Sequence, residues 1–276
     1  MNGPIQHAAP RRRRQAAACG RAAVRVLLLH GMGGGLSGWD ALAARLAPHL
    51  ELWDARLPWA FTGDPEWARE PDVTQSVTAA VDGVRRAAGR PVDVVIAHSF
   101  AANVVLELLA GSDLLTRTAS VLVSPFYRDL AVDLDWRAVL SGIDGCYQRV
   151  AQEIQQRHGA CGTDQFRAVV AQRILRLTGP YPRLRFQQVY SRTPRLDLES
   201  MTVPVVVVGG SDDPAATADG VRLLAGRIPR ARSEILDGCG HFPMIERPAR
   251  LAEIIEDFID HALPAAPESR PGRVPS

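Results

Sequence analysis

Three short segments of this 276-residue chain carry a nucleophile, a base and an acid, each where an apolar run gives way to small and polar residues. Ser99 lies in Ala97-His98-Ser99-Phe100-Ala101, directly after the β-branched run 92–96 and before an apolar pattern at helical spacing (Ala102, Val105, Leu106, Leu109). A strand that turns into a helix through one residue strains that residue's backbone and presents its side chain at the corner. The positions two before and two after the corner must then be small. Ala97 and Ala101 meet that need, although glycine is the usual occupant. A serine hydroxyl is a weak nucleophile at neutral pH and needs a base to take its proton. His241, in Gly238-Cys239-Gly240-His241-Phe242-Pro243, suits that task and the later return of the proton to a leaving group. A carboxylate would fix the imidazole tautomer and stabilise the imidazolium. Two adjacent residues compete for that role, Asp212 and Asp213 in Gly210-Ser211-Asp212-Asp213-Pro214. The negative charge developing on an attacked carbonyl oxygen needs backbone N–H donors, and Phe100, at a helix N-terminus next to the serine, supplies one.

The elements that must position these groups alternate along the chain. Strands are expected at 24–29, 49–53, 92–96, 118–124, 203–208 and 232–236. Helices are expected at 37–46 with Ser37 as N-cap, at 73–88, from the Ser99 corner to 110, at 218–227 and at 248–263. Such alternation implies an α/β fold, a mainly parallel doubly wound sheet covered by helices on both faces. Ligand sites in such sheets lie at the carboxyl ends of the strands, where Ser99, the aspartate pair and His241 all fall. Residues 126–198 interrupt the alternation with helical stretches at 136–158, 164–177 and 183–190 and no good strand, which reads as a helical cap inserted between two core segments, 23–125 and 199–263. Residues 1–22 and 264–276, rich in Pro, Arg and Ala without periodicity, read as disordered tails.

With those segments in hand, the chain resembles the α/β-hydrolase superfamily over residues 24–263. The resemblance rests on the order Ser99, Asp213, His241 at successive strand ends, on the Gly-x-Gly-His-x-Pro segment with Glu246 and Pro248 beyond it, on His30-Gly31 followed by glycines, and on Val203-Pro204 before Asp213-Pro214. It implies a serine hydrolase with a Ser99, Asp213 and His241 triad. Asp213 is preferred because it precedes a proline and lies three residues after Gly210, which leaves Asp212 as a turn residue. The resemblance also implies the backbone N–H of Met32 as the second oxyanion donor, and His30 and His98 as structural residues, the latter pointing away from the cleft. The chain departs from the family pattern in two places. It has little room for a hairpin before the strand at 24–29, and Asp54-Ala55-Arg56-Leu57-Pro58-Trp59 stands where Asp-x-x-Gly-x-Gly is usual.

Composition limits the partners. The net charge of +2 hides a tail of +5 over residues 1–23 and a core of −4 over 24–263, so a basic surface for nucleic acid is not implied for the folded part. No apolar run reaches the length of a membrane span, and no signal-peptide pattern precedes Val24. Cys19, Cys146, Cys161 and Cys239 show neither metal spacing nor a disulfide framework, which suggests reduced thiols in a cytoplasm. The glycine loop after residue 29 lacks dinucleotide spacing, and neither a cofactor nor a metal is expected. His7, His49, His158 and His261 read as surface residues. Trp53, Trp59, Phe61, Trp67, Phe126, Tyr127, Trp136, Tyr147 and Tyr181 suit a largely apolar ligand of medium size near the cleft or in the cap. Arg173, Arg176, Arg183 and Arg185 read as a solvated cap face. The expected activity is hydrolysis of a carboxylic ester or thioester, free or carrier-bound, through a Ser99 acyl-enzyme. The alternatives are acyl transfer, elimination, cyclisation or C–C cleavage in secondary metabolism by the same triad, favoured if a dry cap excludes water, and a ligand-binding protein with an inactive triad. Self-association is left open.

Overall fold

A computed structural model describes residues 10–19, 21–63, 65–128 and 179–263. Among the described residues, seven strands form one sheet: β1 (Arg11–Arg14), β2 (Val24–Leu29), β3 (Leu50–Ala55), β4 (Val94–His98), β5 (Ala119–Val123), β6 (Val205–Gly210) and β7 (Ala231–Leu236). Their order is β1-β3-β2-β4-β5-β6-β7, with β1 antiparallel to β3 and every other pair parallel. The described helices are α1 (Asp40–Ala43), α2 (Thr74–Ala88), α3 (Phe100–Gly111), α4 (Pro180–Arg192), α5 (Ala218–Arg227), α6 (Pro243–Glu246) and α7 (Pro248–Ala262).

The near-continuous apolar strands bury both faces of the sheet. Leu27, Leu29, Val95, Ala97, Leu122 and Val207 face a core shared with Val77 and Val84 of α2, Val104 and Val105 of α3, and Val221 and Leu224 of α5. The alternate residues Val26, Leu28, Val94, Ile96, Val121 and Val206 face Leu42 of α1 and Leu251, Ile254, Ile255 and Phe258 of α7. This is the mainly parallel, doubly wound α/β architecture that the alternation predicts. Strand order reverses between β2 and β4, since β3 lies on one side of β2 and β4 on the other. Loops leaving two such strands in opposite directions open a crevice at their carboxyl ends. The glycine loop after β2 and Ser99 after β4 meet there.

Several expectations need correction. The helix expected at 37–46 is a 3-10 turn, Leu36–Trp39, running into the short α1, and its N-cap is Gly35 with no side-chain cap from Ser37. The tail expected to be disordered over 1–22 contains β1. Its arginines are not a free cationic arm: Arg11 and Arg13 bond Asp54, and Arg14 donates to the carbonyls of Ala43, Leu46, Ala47 and Leu50. Pro10 lies on α2, where a Cβ on Gly83 would come within 2.4 Å of its ring. A run of four arginines carries no hydropathy pattern for a strand, so only the acceptors on β3 and α1 reveal its register. His49 is buried, not on the surface, whereas His261 is exposed. Of the expected cap, the stretch 183–190 falls within α4, while 136–158 and 164–177, with Trp136, Tyr147, Arg173 and Arg176, lie outside the described residues, as do His7, His158, Cys146, Cys161 and residues 264–276. Arg185 of α4 is half-buried and not free: it donates to the carbonyls of Ala68, Glu70 and Pro71 and ties the helix to the turn at Pro65–Arg69.

Candidate active site

The corner after β4 has the strain its sequence implies. Ser99 has φ 55° and ψ −123°, outside the usual regions for a side chain with a Cβ. Its N–H donates to the Val123 carbonyl at 2.8 Å, and the Asn103 N–H donates to its carbonyl at 3.2 Å, so sheet and helix hold the corner from both sides. Ala97 and Ala101 are fully buried on either side of it. The glycine loop closes on the corner: a Cβ on Gly31 would lie 2.8 Å from the Ser99 Cβ and 2.9 Å from the His98 Nδ1. Only glycine lets the backbone of residues 30–32 come this close to the Ser99 corner.

His241 lies on a loop whose backbone is fixed at several points. Glu246 accepts from the N–H of Gly240 at 2.9 Å through one carboxylate oxygen and from the N–H of Phe242 at 3.1 Å through the other, bracketing the histidine. Gly238 adopts φ 59°. The loop after β6 packs directly on this segment. Gly210 has no room for a side chain, since a Cβ would fall 2.0 Å from the Cys239 carbonyl oxygen. The Asp212 N–H donates to that same carbonyl at 2.9 Å.

These loops bring Ser99, His241 and Asp213 into one buried line. The Ser99 Oγ is 3.0 Å from His241 Nε2, and His241 Nδ1 is 2.8 Å from Asp213 Oδ2. A carboxylate only accepts, so Nδ1 carries the proton and Nε2 offers its lone pair to the serine hydroxyl. The other oxygen of Asp213 accepts from the N–H groups of Ala215 at 2.8 Å and Ala216 at 2.9 Å. Burial alone would push this carboxyl up. The neighbouring His241 and the three hydrogen bonds outweigh that, and its pKa lies below the ordinary value. The Asp212 carboxylate accepts from the Ser211 hydroxyl at the exposed side of the loop.

His30 and His98 support the line as neutral rings. His30 Nδ1 donates to the Gly31 carbonyl at 2.9 Å, and its Nε2 accepts from the Leu57 N–H at 3.1 Å. Trp59 adds an indole N–H to the His30 carbonyl at 3.0 Å. The unusual loop 54–59 thus grips the glycine loop. His98 Nε2 donates to the His241 carbonyl at 2.8 Å, which links the residue before Ser99 to the backbone of His241. Burial pushes His30 down to about 4 and His98 down to about 3, so neither adds charge to the site near neutrality. The reading of His98 as structural misses this second end: nothing in its local sequence announces a partner 143 residues away.

Of the aromatic residues singled out in the sequence, Trp59, Trp67 and Phe126 converge on the site, joined by Phe100 and Phe186. Phe100 stands 5.0 Å from Trp59 and 5.6 Å from Trp67, centroid to centroid, and 6.2 Å from Phe186. Phe126 stands 4.8 Å from Phe186 and 5.6 Å from the His241 ring. Trp53 instead lies on β3 under Arg12, and Tyr181 is half exposed under Arg69. Among the described residues no group of three or more His, Cys, Asp or Glu could hold a metal ion, and no helix is long and apolar enough to cross a membrane.

Comparison with known proteins gives this geometry its context. Among solved structures, an esterase from Exiguobacterium antarcticum superposes with a TM-score of 0.64 at 11% identity, covering 87% of this chain and 92% of that one. A meta-cleavage product hydrolase from Pseudomonas fluorescens IP01 superposes with a TM-score of 0.64 at 17% identity, covering 88% and 93%. Among curated sequences, monoacylglycerol lipase ABHD6 of Mus musculus is 32% identical over 63 residues, which is 23% of this chain and 19% of that relative. The chain therefore spans about one fifth of the length of the curated relatives it matches. Residues 26–254 match the sequence profile of one family. The protein belongs to the alpha/beta hydrolase family.

Proposed function

We propose that the protein is a serine hydrolase that cleaves a carboxylic ester or thioester of a small to medium, largely apolar substrate through an acyl-enzyme on Ser99. The observation that carries this reading is the continuous line from Ser99 Oγ through both ring nitrogens of His241 to Asp213, with steps of 3.0 and 2.8 Å. In this reading Ser99 Oγ attacks the carbonyl carbon while His241 Nε2 takes its proton. The oxyanion is held by the N–H groups of Phe100 and Met32. The intermediate collapses with transfer of the proton from His241 to the leaving alcohol or thiol. Water then repeats the sequence, giving up its proton to His241, and Ser99 leaves the acid product. Asp213 keeps its negative charge throughout and stabilises the imidazolium between the two transfers.

The aromatic rings beside Ser99 and His241 support an apolar acyl or alcohol group, since they offer surface but few hydrogen-bonding atoms. The experiment is turnover of p-nitrophenyl esters and acyl thioesters, with product analysis, by wild type and Ser99→Ala. Wild type is expected to release free acid, and Ser99→Ala to lose about 10⁴-fold or more in kcat. Undiminished turnover in Ser99→Ala would discard the acyl-enzyme. Products of transfer or C–C cleavage would move the reading to the other chemistry available to this triad.

A further inference from the structure

The nucleophile helix contains a polar residue that the triad does not use. Asn103 sits in the first turn of α3, in the apolar run Ala101-Ala102-Asn103-Val104-Val105, and is 1% exposed. Asparagine is a weak helix former, and a buried amide is costly unless both its ends are bonded. Asn103 is bonded at both ends to a single residue: its Nδ2 donates to the Phe126 carbonyl at 2.6 Å, and its Oδ1 accepts from the Phe126 N–H at 2.9 Å. This two-point clamp treats the side-chain amide as a strand partner for one backbone position. An amide offers a donor and an acceptor side by side, which no apolar or acidic side chain of this size can do.

A second irregularity converges on the same residue. Ser124, two positions earlier, has φ 49°, and its fully buried hydroxyl has no hydrogen-bond partner among the described residues. A non-glycine residue in the left-handed region with an unsatisfied hydroxyl is a local strain that the surroundings must impose. The corner at Ser124 and the clamp from Asn103 together fix where the chain goes after β5. They place the Phe126 ring against the His241 imidazole and at right angles to Phe186. With Phe100, which directly follows the nucleophile, these rings form one continuous wall whose members are 1–7% exposed. Rings at van der Waals spacing leave no slot for an alkyl chain between them.

We propose that Asn103 is a positioning residue that sets acyl-chain selectivity: by clamping Phe126 between His241 and Phe186 it closes the wall beside Ser99 and restricts the enzyme to short acyl groups. This rests on the reading of Ser99 as an acyl-accepting nucleophile. The ring is the steric stop, and Asn103 acts only through it.

The test compares kcat/KM for p-nitrophenyl acetate, butyrate and octanoate in wild type, Phe126→Ala, Asn103→Leu, the double variant and Ser99→Ala. Wild type is expected to favour acetate and butyrate. Phe126→Ala is expected to raise the octanoate-to-acetate ratio about tenfold or more, the scale on which a pocket discriminates methylenes. Asn103→Leu is expected to raise the ratio in the same direction, mainly by lowering KM for octanoate. In the double variant the ratio is expected to match that of Phe126→Ala alone, because the clamp has no effect once its ring is gone. If Asn103→Leu does not fold, Asn103→Asp, which keeps the acceptor for the Phe126 N–H and loses the donor, takes its place. An unchanged ratio in Phe126→Ala or in the Asn103 variant, or shifts that multiply in the double variant, would overturn the proposal. Turnover that persists in Ser99→Ala would instead remove the reading beneath it, so the two failures are told apart.

Discussion

Two aspartates, Asp54 at the end of β3 and Asp213 after β6, have fully buried side chains and opposite surroundings. Asp54 is held by guanidinium groups: Arg11 bonds both its oxygens at 3.2 Å and Arg13 adds a bond at 2.7 Å. Asp213 is held by two backbone N–H groups and one imidazole. Both arrangements meet the requirement that a buried carboxylate be fully bonded. They differ in what charge is left over. Two arginines neutralise Asp54 permanently and make it a staple between the N-terminal strand and the sheet. Amide dipoles solvate Asp213 without cancelling its charge, so that charge remains available to the imidazolium that the proposed reaction forms on His241. A buried carboxylate held by dipoles can support proton transfer, whereas one held by cations supports structure.

The comparison can be broken by removing one charge at a time. Asp213→Asn keeps the shape but removes the charge and presents an amide to His241, which favours the wrong imidazole tautomer. The expected loss in kcat is about 10³–10⁴-fold, with the urea midpoint moving little. Asp54→Asn is expected to do the reverse. Stability should fall by about 2–3 kcal/mol by chemical denaturation, somewhat less than for a deeply buried pair because Arg11 can turn to solvent, while kcat per folded molecule stays within about twofold. A catalytic collapse in Asp54→Asn, or a purely stability-based effect in Asp213→Asn, would erase the distinction.

The neutral rings sharpen the comparison through pH. His30 and His98 are pushed below the ordinary value of 6.5, to about 4 and about 3, chiefly by burial. Above pH 6.5 they are neutral in the folded and the unfolded chain and leave stability unchanged. Below 6.5 the unfolded chain takes up protons that the buried rings refuse. Stability should therefore fall by up to about 1.4 kcal/mol per pH unit for each ring, down to about pH 4 for His30 and about pH 3 for His98. Urea midpoints between pH 7 and pH 4 measure this, and His30→Asn is expected to flatten the slope. The smallest effect is expected from Arg14→Met. It keeps the apolar stem but frees the carbonyls of Ala43, Leu46, Ala47 and Leu50, for about 1 kcal/mol of stability and no change in turnover.

The same contrast explains what the sequence reveals. The β-branched runs, the glycines and the positions of Ser99, Asp213 and His241 are local signals, because each strand end must break its own pattern to place a side chain in the crevice. The choice of Asp213 over Asp212 rests on the resemblance, whose pattern puts a proline after the acid and a glycine three residues before it. What the local signals miss is held by partners far along the chain. Glu246 brackets His241 from the next helix, but His98 finds its acceptor across the sheet, and Asn103 finds Phe126 across a strand connection. A lone asparagine in an apolar helix run was a detectable sign of a buried clamp, although its partner was not. The arginine strand is the extreme case. Its side chains read as solvated charge until Asp54 and the carbonyls of Ala43, Leu46, Ala47 and Leu50 supply acceptors, and hydropathy carries no trace of that pairing.

The central claim is that Ser99 is activated through His241 by a charge held on Asp213. Labelling with a fluorophosphonate probe, read by intact mass on wild type, Ser99→Ala, His241→Ala and Asp213→Asn, tests it most directly. The account predicts one adduct on wild type, none on Ser99→Ala, and labelling slowed by orders of magnitude in the other two variants. Rapid labelling that survives loss of His241, or an adduct that forms without Ser99, would contradict it.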